Sequence, residues 1–162
     1  MKLKSRLKLL GFILIILSLG CSGSSDLLTP EKIGVEERTR LITGRQAAQI
    51  VNKMHGTTVA GHDNVIAEYG RDKKDFLFVT YYADQKEAQK AFTLMIEKMT
   101  AAKNSPFIQL SPLGKYQNKV YTTLGMGAVH YIYLSGNFLL WFQTYQSFGD
   151  ELPPLLLELY PI

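Results

Sequence analysis

Two stretches of the chain place apolar residues three and four positions apart, which is the spacing of one face of an α-helix. The first stretch follows the capping box of Thr43 and Gln46, and its apolar positions are Ala47, Ile50, Val51 and Met54. The second follows Asp84 and Glu87, and its apolar positions are Ala88, Ala91, Phe92, Met95, Ile96 and Met99. The pattern predicts helices over residues 44–55 and from Asp84 to about Ala102.

Runs of β-branched and aromatic residues predict strands in the rest of the chain. These strands cover residues 65–69, 76–82, 107–110, 119–124, 128–134 and 138–145. A charged turn joins the first two, and Ser135-Gly136-Asn137 joins the last two, so both pairs are expected to be antiparallel hairpins. A short helix at 152–160, begun by prolines, is expected to pack its leucines on the body. The order predicts an α+β fold: an antiparallel sheet of about five to six strands with the two long helices packed on one face.

A different pattern precedes this domain. Basic residues lie among the first eight positions, and residues 9–19 are almost wholly apolar before Gly20 and Cys21. A membrane span requires about 20 apolar residues and this run has roughly half that number, so a cleaved export signal is predicted over residues 1–20. The segment from Leu17 to Cys21 resembles the lipobox of bacterial lipoproteins, with Ser18 where the commonest form has leucine.

The resemblance implies that the thiol of Cys21 carries acyl chains such as palmitate and anchors the protein to a membrane. Ser22 stands where an aspartate would resemble an inner-membrane retention signal. In an organism with two membranes, the expected location is therefore the periplasmic face of the outer membrane. The polar stretch 21–40 is expected to be a flexible tether that carries the lipid, and residues 41–162 a single domain.

The net charge of the chain, +4 at pH 7, belongs to the export signal. Four of the 18 lysine and arginine residues lie in the first twenty positions, which leaves 14 against 14 aspartate and glutamate residues. A neutral mature chain without a basic cluster argues against nucleic-acid binding. Because Cys21 is the only cysteine, its acylation leaves no thiol for a disulfide, a metal site or catalysis.

The sequence has no spacing that is specific for catalysis or metal binding. A metal site would require His55, His62 and His130 to converge with a carboxylate such as Asp63. The Gly-x-Ser-x-Gly turn of many hydrolases is absent from the sequence. Gly125-Met126-Gly127 is too short to cradle a phosphate and precedes a strand, so a turn or bulge is predicted there. No catalytic residue, cofactor or metal is predicted, and the chain is not expected to be an enzyme.

Aromatic residues alternate along the last two predicted strands, which predicts that they share a face. The candidate binding surface consists of Tyr131, Tyr133, Leu139, Trp141 and Tyr145. The opposite face, which is aliphatic and rich in phenylalanine, is expected to be core. Two interpretations remain for the aromatic face: a sheet covered on both sides, or a surface that docks a ligand or partner.

Tyr69-Gly70, the helical positions from Ala88 to Met95 and the late hairpin with its glycine make most of residues 44–145 similar to a family of uncharacterised exported bacterial domains. The resemblance implies the same order of helix, hairpin, helix and strands. It implies no activity and no catalytic residue.

The sequence supports one main functional hypothesis and two alternatives. The main hypothesis is a lipid-anchored cell-envelope protein whose α+β domain binds or scaffolds an envelope protein, without catalysis. The first alternative is a carrier or sensor of a small apolar ligand, and a concave pocket bordered by Trp141 and Tyr131 would favour it. The second is an envelope enzyme that uses one of the histidines.

Overall fold

One antiparallel sheet organises the domain. The structure is a computed structural model and describes residues 29–55, 58–146, 148–149 and 151–162. In sequence order the strands are β1 (Lys32–Ile33), β2 (Glu36–Thr43), β3 (Asp63–Tyr69), β4 (Asp75–Tyr81), β5 (Phe107–Pro112), β6 (Val120–Gly125), β7 (Ala128–Ser135) and β8 (Phe138–Thr144). Within the described residues, these eight strands form a single sheet in the order β1-β2-β3-β4-β8-β7-β6-β5.

The helices lie in the connections of this sheet. α1 (Gly44–His55) joins β2 to β3, α2 (Gln85–Ala101) joins β4 to β5, and α3 (Pro154–Leu159) follows β8. The apolar spacing correctly predicted the bounds of α1. At the start of α2, the carboxylate of Asp84 accepts a hydrogen bond from the backbone N–H of Glu87 at 2.8 Å, as the capping signal indicates. None of the helices in the described ranges is both long and apolar enough to span a membrane.

The first face of the sheet, which we call the helix face, is covered by α1 and α2. Ile66, Phe78, Trp141 and Ile132 are successive cross-strand neighbours on β3, β4, β8 and β7, so they share this face. α1 packs on β2 and β3, and α2 contacts β8, β7 and β5. The two helices therefore lie on the same side of one sheet.

The second face, which we call the terminal face, is covered by the segments before β2 and after β8 within the described residues. Leu77, Phe142 and Tyr131 are successive neighbours on β4, β8 and β7, and each is at most 1 % exposed. The chain after β8 returns across these strands and buries Leu152 and Leu156, as the sequence pattern predicts for this segment. This face holds the larger part of the core.

The strand count corrects the sequence analysis, which predicts about five to six strands and a tether over residues 21–40. Residues 29–40 belong to the folded domain: Thr29 and Ile33 are buried, and Arg38 Nη1 donates a hydrogen bond of 2.7 Å to Thr29 Oγ1. The two additional strands, β1 and β2, form one edge of the sheet. Charged side chains can remain in solvent at such an edge, so this segment lacks an apolar period. Residues 21–28 lie outside the described part of the chain.

Candidate functional site

An apolar groove lies between α1 and α2 on the helix face. Its floor consists of Phe78 from β4 with Leu139 and Trp141 from β8, and its walls include Val51, Met54, Ala91, Leu94 and Met95 from the two helices. The cavity volume is about 570 Å³, which is within the range of small-molecule sites. Met54 on α1 and Leu94 on α2 are 59 % and 44 % exposed, so each helix contributes an apolar residue that water reaches.

The connections of the helices explain why this part of the sheet stays uncovered. α1 joins two neighbouring strands and packs Ala47 against Ile42 and Ile66 at that side of the sheet. α2 must reach the far edge strand β5, so it lies over the other half of the sheet, where Phe92 contacts Tyr121 of β6 with ring centres 5.8 Å apart. β4 and the adjoining part of β8 remain between the two helices and form the floor of the groove.

Trp141 is held in the floor by a buried histidine. The indole Nε1–H of Trp141 donates to Nδ1 of His130 at 2.9 Å, and Nε2 of His130 is 3.0 Å from the carbonyl oxygen of Gly125. These two bonds require a neutral imidazole with its hydrogen on Nε2. The ring of Phe107 packs edge-on against both aromatic partners, with centres 5.0 Å from His130 and 5.2 Å from Trp141. The indole is thus a fixed part of the groove.

The burial of His130 predicts a pH dependence of stability. Burial lowers the pKa of His130, and its hydrogen bond to Gly125 opposes this effect only in part. The unfolded chain, with an ordinary histidine pKa of about 6.5, therefore takes up a proton at a higher pH than the folded chain does. The free energy of unfolding should fall as the pH drops below about 6.5, by at most about 1.4 kcal/mol per pH unit, and level off below the folded-state pKa.

Urea unfolding followed by circular dichroism between about pH 8 and pH 5 measures this loss. The control is His130→Asn, whose amide oxygen can take the place of Nδ1 and accept from Trp141 without titrating. His55 and His62 are exposed and remain in both proteins, so the difference between the two pH profiles isolates His130. Parallel profiles for the two proteins would contradict the prediction.

The loop that precedes β3 forms one wall of the groove. The side-chain oxygen of Asn52 accepts hydrogen bonds from the backbone N–H groups of Val59 and Ala60, at 2.7 and 2.8 Å. The hydroxyl of Tyr82 donates to the carbonyl of Val59 at 3.1 Å. Gly61 lies so close to the backbone of β4 that a Cβ at this position would overlap it. These contacts fix the wall relative to the floor.

Charged and titratable side chains lie at the rim of the groove. They are His55, His62, Glu87, Lys90 and Lys98, and all five are exposed. The ring of His55 also donates to the carbonyl of Val51 from Nδ1, at 2.8 Å, near the end of α1. An apolar interior with a few polar groups at the rim is typical of sites that bind small apolar or amphipathic molecules.

The sequence-predicted aromatic surface is divided between the two faces of the sheet. Leu139 and Trp141 line the groove, whereas Tyr131 and Tyr133 lie on the terminal face and are at most 1 % exposed. Tyr145 follows the end of β8 and is exposed, with the ammonium of Lys73 5.7 Å from its ring centre. The prediction that the five residues share one face is therefore wrong.

The register of the β7–β8 hairpin explains this error. Its two-residue turn at 136–137 pairs Ser135 with Phe138, so odd-numbered residues of β7 pair with even-numbered residues of β8. Tyr131 consequently shares its face with Phe142, on the side opposite the groove. Residues of two hairpin strands that both have odd numbers, or both have even numbers, share a face only when the turn between the strands contains an odd number of residues.

The hydroxyls of the two buried tyrosines are satisfied within the core. Tyr131 donates to the carbonyl of Gly149 at 2.9 Å, and Tyr133 donates to the carbonyl of Leu156 at 3.4 Å. Burial raises the pKa of Tyr133 well above its ordinary value, so this phenol stays a donor at neutral pH. Tyr131 and Tyr133 therefore agree with the interpretation in which the aromatic residues belong to a covered core, and not to a docking surface.

The sequence analysis does not select most of the groove residues as binding residues, although the sequence contains a pattern that indicates their strands. Residues 76–79 and 138–142 are uninterrupted apolar runs. A strand with one solvated face alternates apolar and polar residues, so such runs indicate apolar surface on both faces. They identify β4 and β8 as strands with two apolar faces, but the gap between the helices above them depends on the tertiary fold.

The three histidines that the sequence analysis considers as metal ligands do not come together in the structure. His55 and His62 lie at the rim of the groove, and His130 lies on the helix face beside Trp141 but outside the groove lining. No group of three or more His, Cys, Asp or Glu side chains in the described ranges is placed to hold a metal ion. The turn predicted at Gly125-Met126-Gly127 is present between β6 and β7. Cys21 and the export signal lie outside the described residues, so lipid attachment stays a prediction.

The resemblance of residues 44–145 to exported bacterial domains also stays a prediction. Comparisons of the chain with protein-family models, with curated proteins and with solved structures find no match.

Proposed function

We propose that this domain binds a small, largely apolar molecule in the groove and serves as a carrier or sensor of that molecule, without catalysis. Acylated Cys21 holds it at an envelope membrane. The observation that carries the proposal is the groove itself, in which aromatic and aliphatic side chains line a concave site of about 570 Å³ with charged groups at its rim. Apolar surface left open to water is unfavourable, and a bound apolar molecule would remove it from water.

The concave shape favours a small ligand over the protein-docking scaffold that was the main hypothesis from sequence. A flat aromatic patch would have favoured that hypothesis, and Tyr131 and Tyr133 are buried on the terminal face instead. Two aromatic residues of the helix face, Phe78 and Trp141, lie on the floor between the two helices. A slender hydrocarbon reaches such a floor more easily than a flat protein surface does.

Quenching of Trp141 fluorescence tests the proposal directly, because Trp141 is the only tryptophan and lies on the groove floor. The protein is the mature chain with Cys21→Ser, which keeps every described residue in solution without lipid. We expect 11-bromo-1-undecanol, whose bromine quenches indole on contact, to quench in a saturable manner. Leu94→Gln should weaken this binding about tenfold, because a ligand would cover the 44 % of Leu94 that is exposed. That is about half of the 1.5–3 kcal/mol of a fully buried leucine, and each 1.4 kcal/mol is about tenfold in affinity.

Leu159→Gln is the matched control for this substitution. Leu159 is 40 % exposed on α3, against 44 % for Leu94 on α2, but it belongs to the segment that covers the terminal face. Its replacement should leave quenching unchanged. Quenching that rises linearly without saturation, or equal weakening by both substitutions, would exclude the groove as the binding site.

A further inference from the structure

One end of the sheet exposes apolar residues beside the charged β3–β4 turn of residues 71–74, whereas the other end exposes polar tips. At one end, the tips of the β1–β2 and β6–β7 connections carry Val35 and Met126, which are 75 % and 69 % exposed. Tyr145, which follows β8, is 41 % exposed at the same end. At the opposite end, the corresponding tips are polar, with Gly136-Asn137 between β7 and β8 and Gln117-Asn118 before β6. Hairpin tips normally carry polar residues, so the first end is the exceptional one.

Contacts within the domain hold the three apolar residues at one end. Thr144, the last residue of β8, pairs with Val129 immediately after the turn that contains Met126. The backbone N–H of Val35 lies 3.5 Å from the side-chain oxygen of Gln146, the residue after Tyr145. We call this set of Val35, Met126 and Tyr145 the apolar end.

The described residues begin near the apolar end. The hydroxyl of Tyr69, the last residue of β3, donates to the carbonyl of Pro30 at 3.0 Å, and Tyr69 pairs with Asp75 at the start of β4. Asp75 in turn accepts a hydrogen bond from the backbone N–H of Tyr145 at 2.8 Å. Eight residue steps separate Thr29 from Cys21, and even a fully extended chain of that length spans less than about 30 Å. An anchor at Cys21 therefore keeps Thr29, near this end of the sheet, within about 30 Å of the lipid surface.

We infer that the apolar end rests in the interfacial layer of the membrane to which Cys21 anchors the protein. The inference relies on the proposed anchor and is independent of the ligand in the groove. Val35 and Met126 have no polar side-chain group that burial among acyl chains would leave unpaired. Tyrosine is amphipathic and is enriched at the level of the headgroups, where the ammonium of Lys73 beside Tyr145 can contact lipid phosphates. One lipid contact for the three residues explains why they are exposed together.

Single-cysteine labelling tests this orientation. Acylation blocks the only native cysteine, so a cysteine introduced by Val35→Cys or Met126→Cys is the only thiol that takes a nitrobenzoxadiazole label. The lipidated chain is reconstituted in vesicles of phosphatidylethanolamine and phosphatidylglycerol. We expect label emission to shift to the blue and rise about twofold or more at both positions, and doxyl-labelled lipids to quench it. Asn137→Cys at the polar end is the control and should keep the emission of a label in water.

The possible outcomes separate the inference from the anchor on which it relies. If the lipidated chain binds the vesicles no better than the Cys21→Ser chain does, both the anchor and the inference are overturned. If it binds but the labels at residues 35 and 126 keep the emission of a label in water, as the label at residue 137 does, the anchor stands and the inference is overturned. Stronger lipid quenching at residue 137 than at the other two positions would place the opposite end on the membrane.

Discussion

Leu156→Ala is expected to lower the free energy of unfolding by about 3 kcal/mol. Leu156 lies in α3, is fully buried against the terminal face, and its carbonyl accepts the hydrogen bond from Tyr133. Truncation removes three carbon atoms from a closed core and leaves a cavity, so the loss includes both transfer free energy and lost packing. Urea unfolding followed by circular dichroism gives the difference directly, because the mutant and the wild type should share one denaturant slope.

Leu155→Ala supplies the matched control at the neighbouring position of the same helix. Leu155 is 36 % exposed and directs its side chain away from the core that Leu156 enters, so its truncation should cost within about 0.5 kcal/mol. A large difference between the two variants means that α3 seals the terminal face. Equal and small costs would mean that the segment after β8 contributes little to the core, and the burial of Tyr133 would then need another explanation.

Elements stabilised by neighbouring residues in the sequence were predictable. The bounds of α1, the cap of α2 at Asp84 and the hairpin turn after Ser135 all follow from side chains within a few positions of one another. The α+β class follows as well, since alternating helix and strand patterns leave few ways to bury the apolar sides of both.

The edge of the sheet was not predictable from the same rules. β2 contains Arg38 and Arg40, whose side chains bond Thr29 and the buried carboxylate of Glu68 instead of entering an apolar core. Its cross-strand pairing with β3 is nevertheless regular from Arg40 to Thr43. Backbone hydrogen bonds to an existing sheet stabilise such a strand, and they leave no hydrophobic period in the sequence.

The candidate site was predictable in part. The alternation of aromatic residues along β8 indicates the face that carries Trp141 and Leu139, and both residues line the groove. Placing Tyr131 and Tyr133 on the same face as these two residues was wrong, because the shared face depends on the strand register across the β7–β8 turn. One additional residue in a turn moves every residue beyond it to the opposite face. The groove depends further on where α1 and α2 lie above the sheet, which is decided by strand order and not by local pattern.

Asp75→Ala is expected to lower the free energy of unfolding by about 3 kcal/mol, through lost hydrogen bonds in place of lost packing. Asp75 is 1 % exposed at the start of β4. Its carboxylate accepts from the hydroxyl of Thr144 at 2.9 Å, the backbone N–H of Tyr145 at 2.8 Å and the side-chain amide of Gln146 at 2.6 Å. Alanine leaves these donors without their acceptor next to a buried β8 terminus, and unsatisfied buried groups cost more than a hydrogen bond contributes on average.

Two further variants decide whether this loss comes from the hydrogen bonds. Asp72→Ala, in the exposed turn three residues earlier, removes a carboxylate of the same charge and should change the free energy of unfolding by no more than about 0.5 kcal/mol. Asp75→Asn keeps one acceptor oxygen but turns an amide donor toward the donors of β8, so its cost should lie between those of the two alanine variants. If Asp75→Ala were no more costly than Asp72→Ala, the three bonds would not be what holds the segment after β8. The position of Tyr145 at the apolar end would then depend on the packing of the strands alone, because Asp75 is the residue that ties this segment to β4.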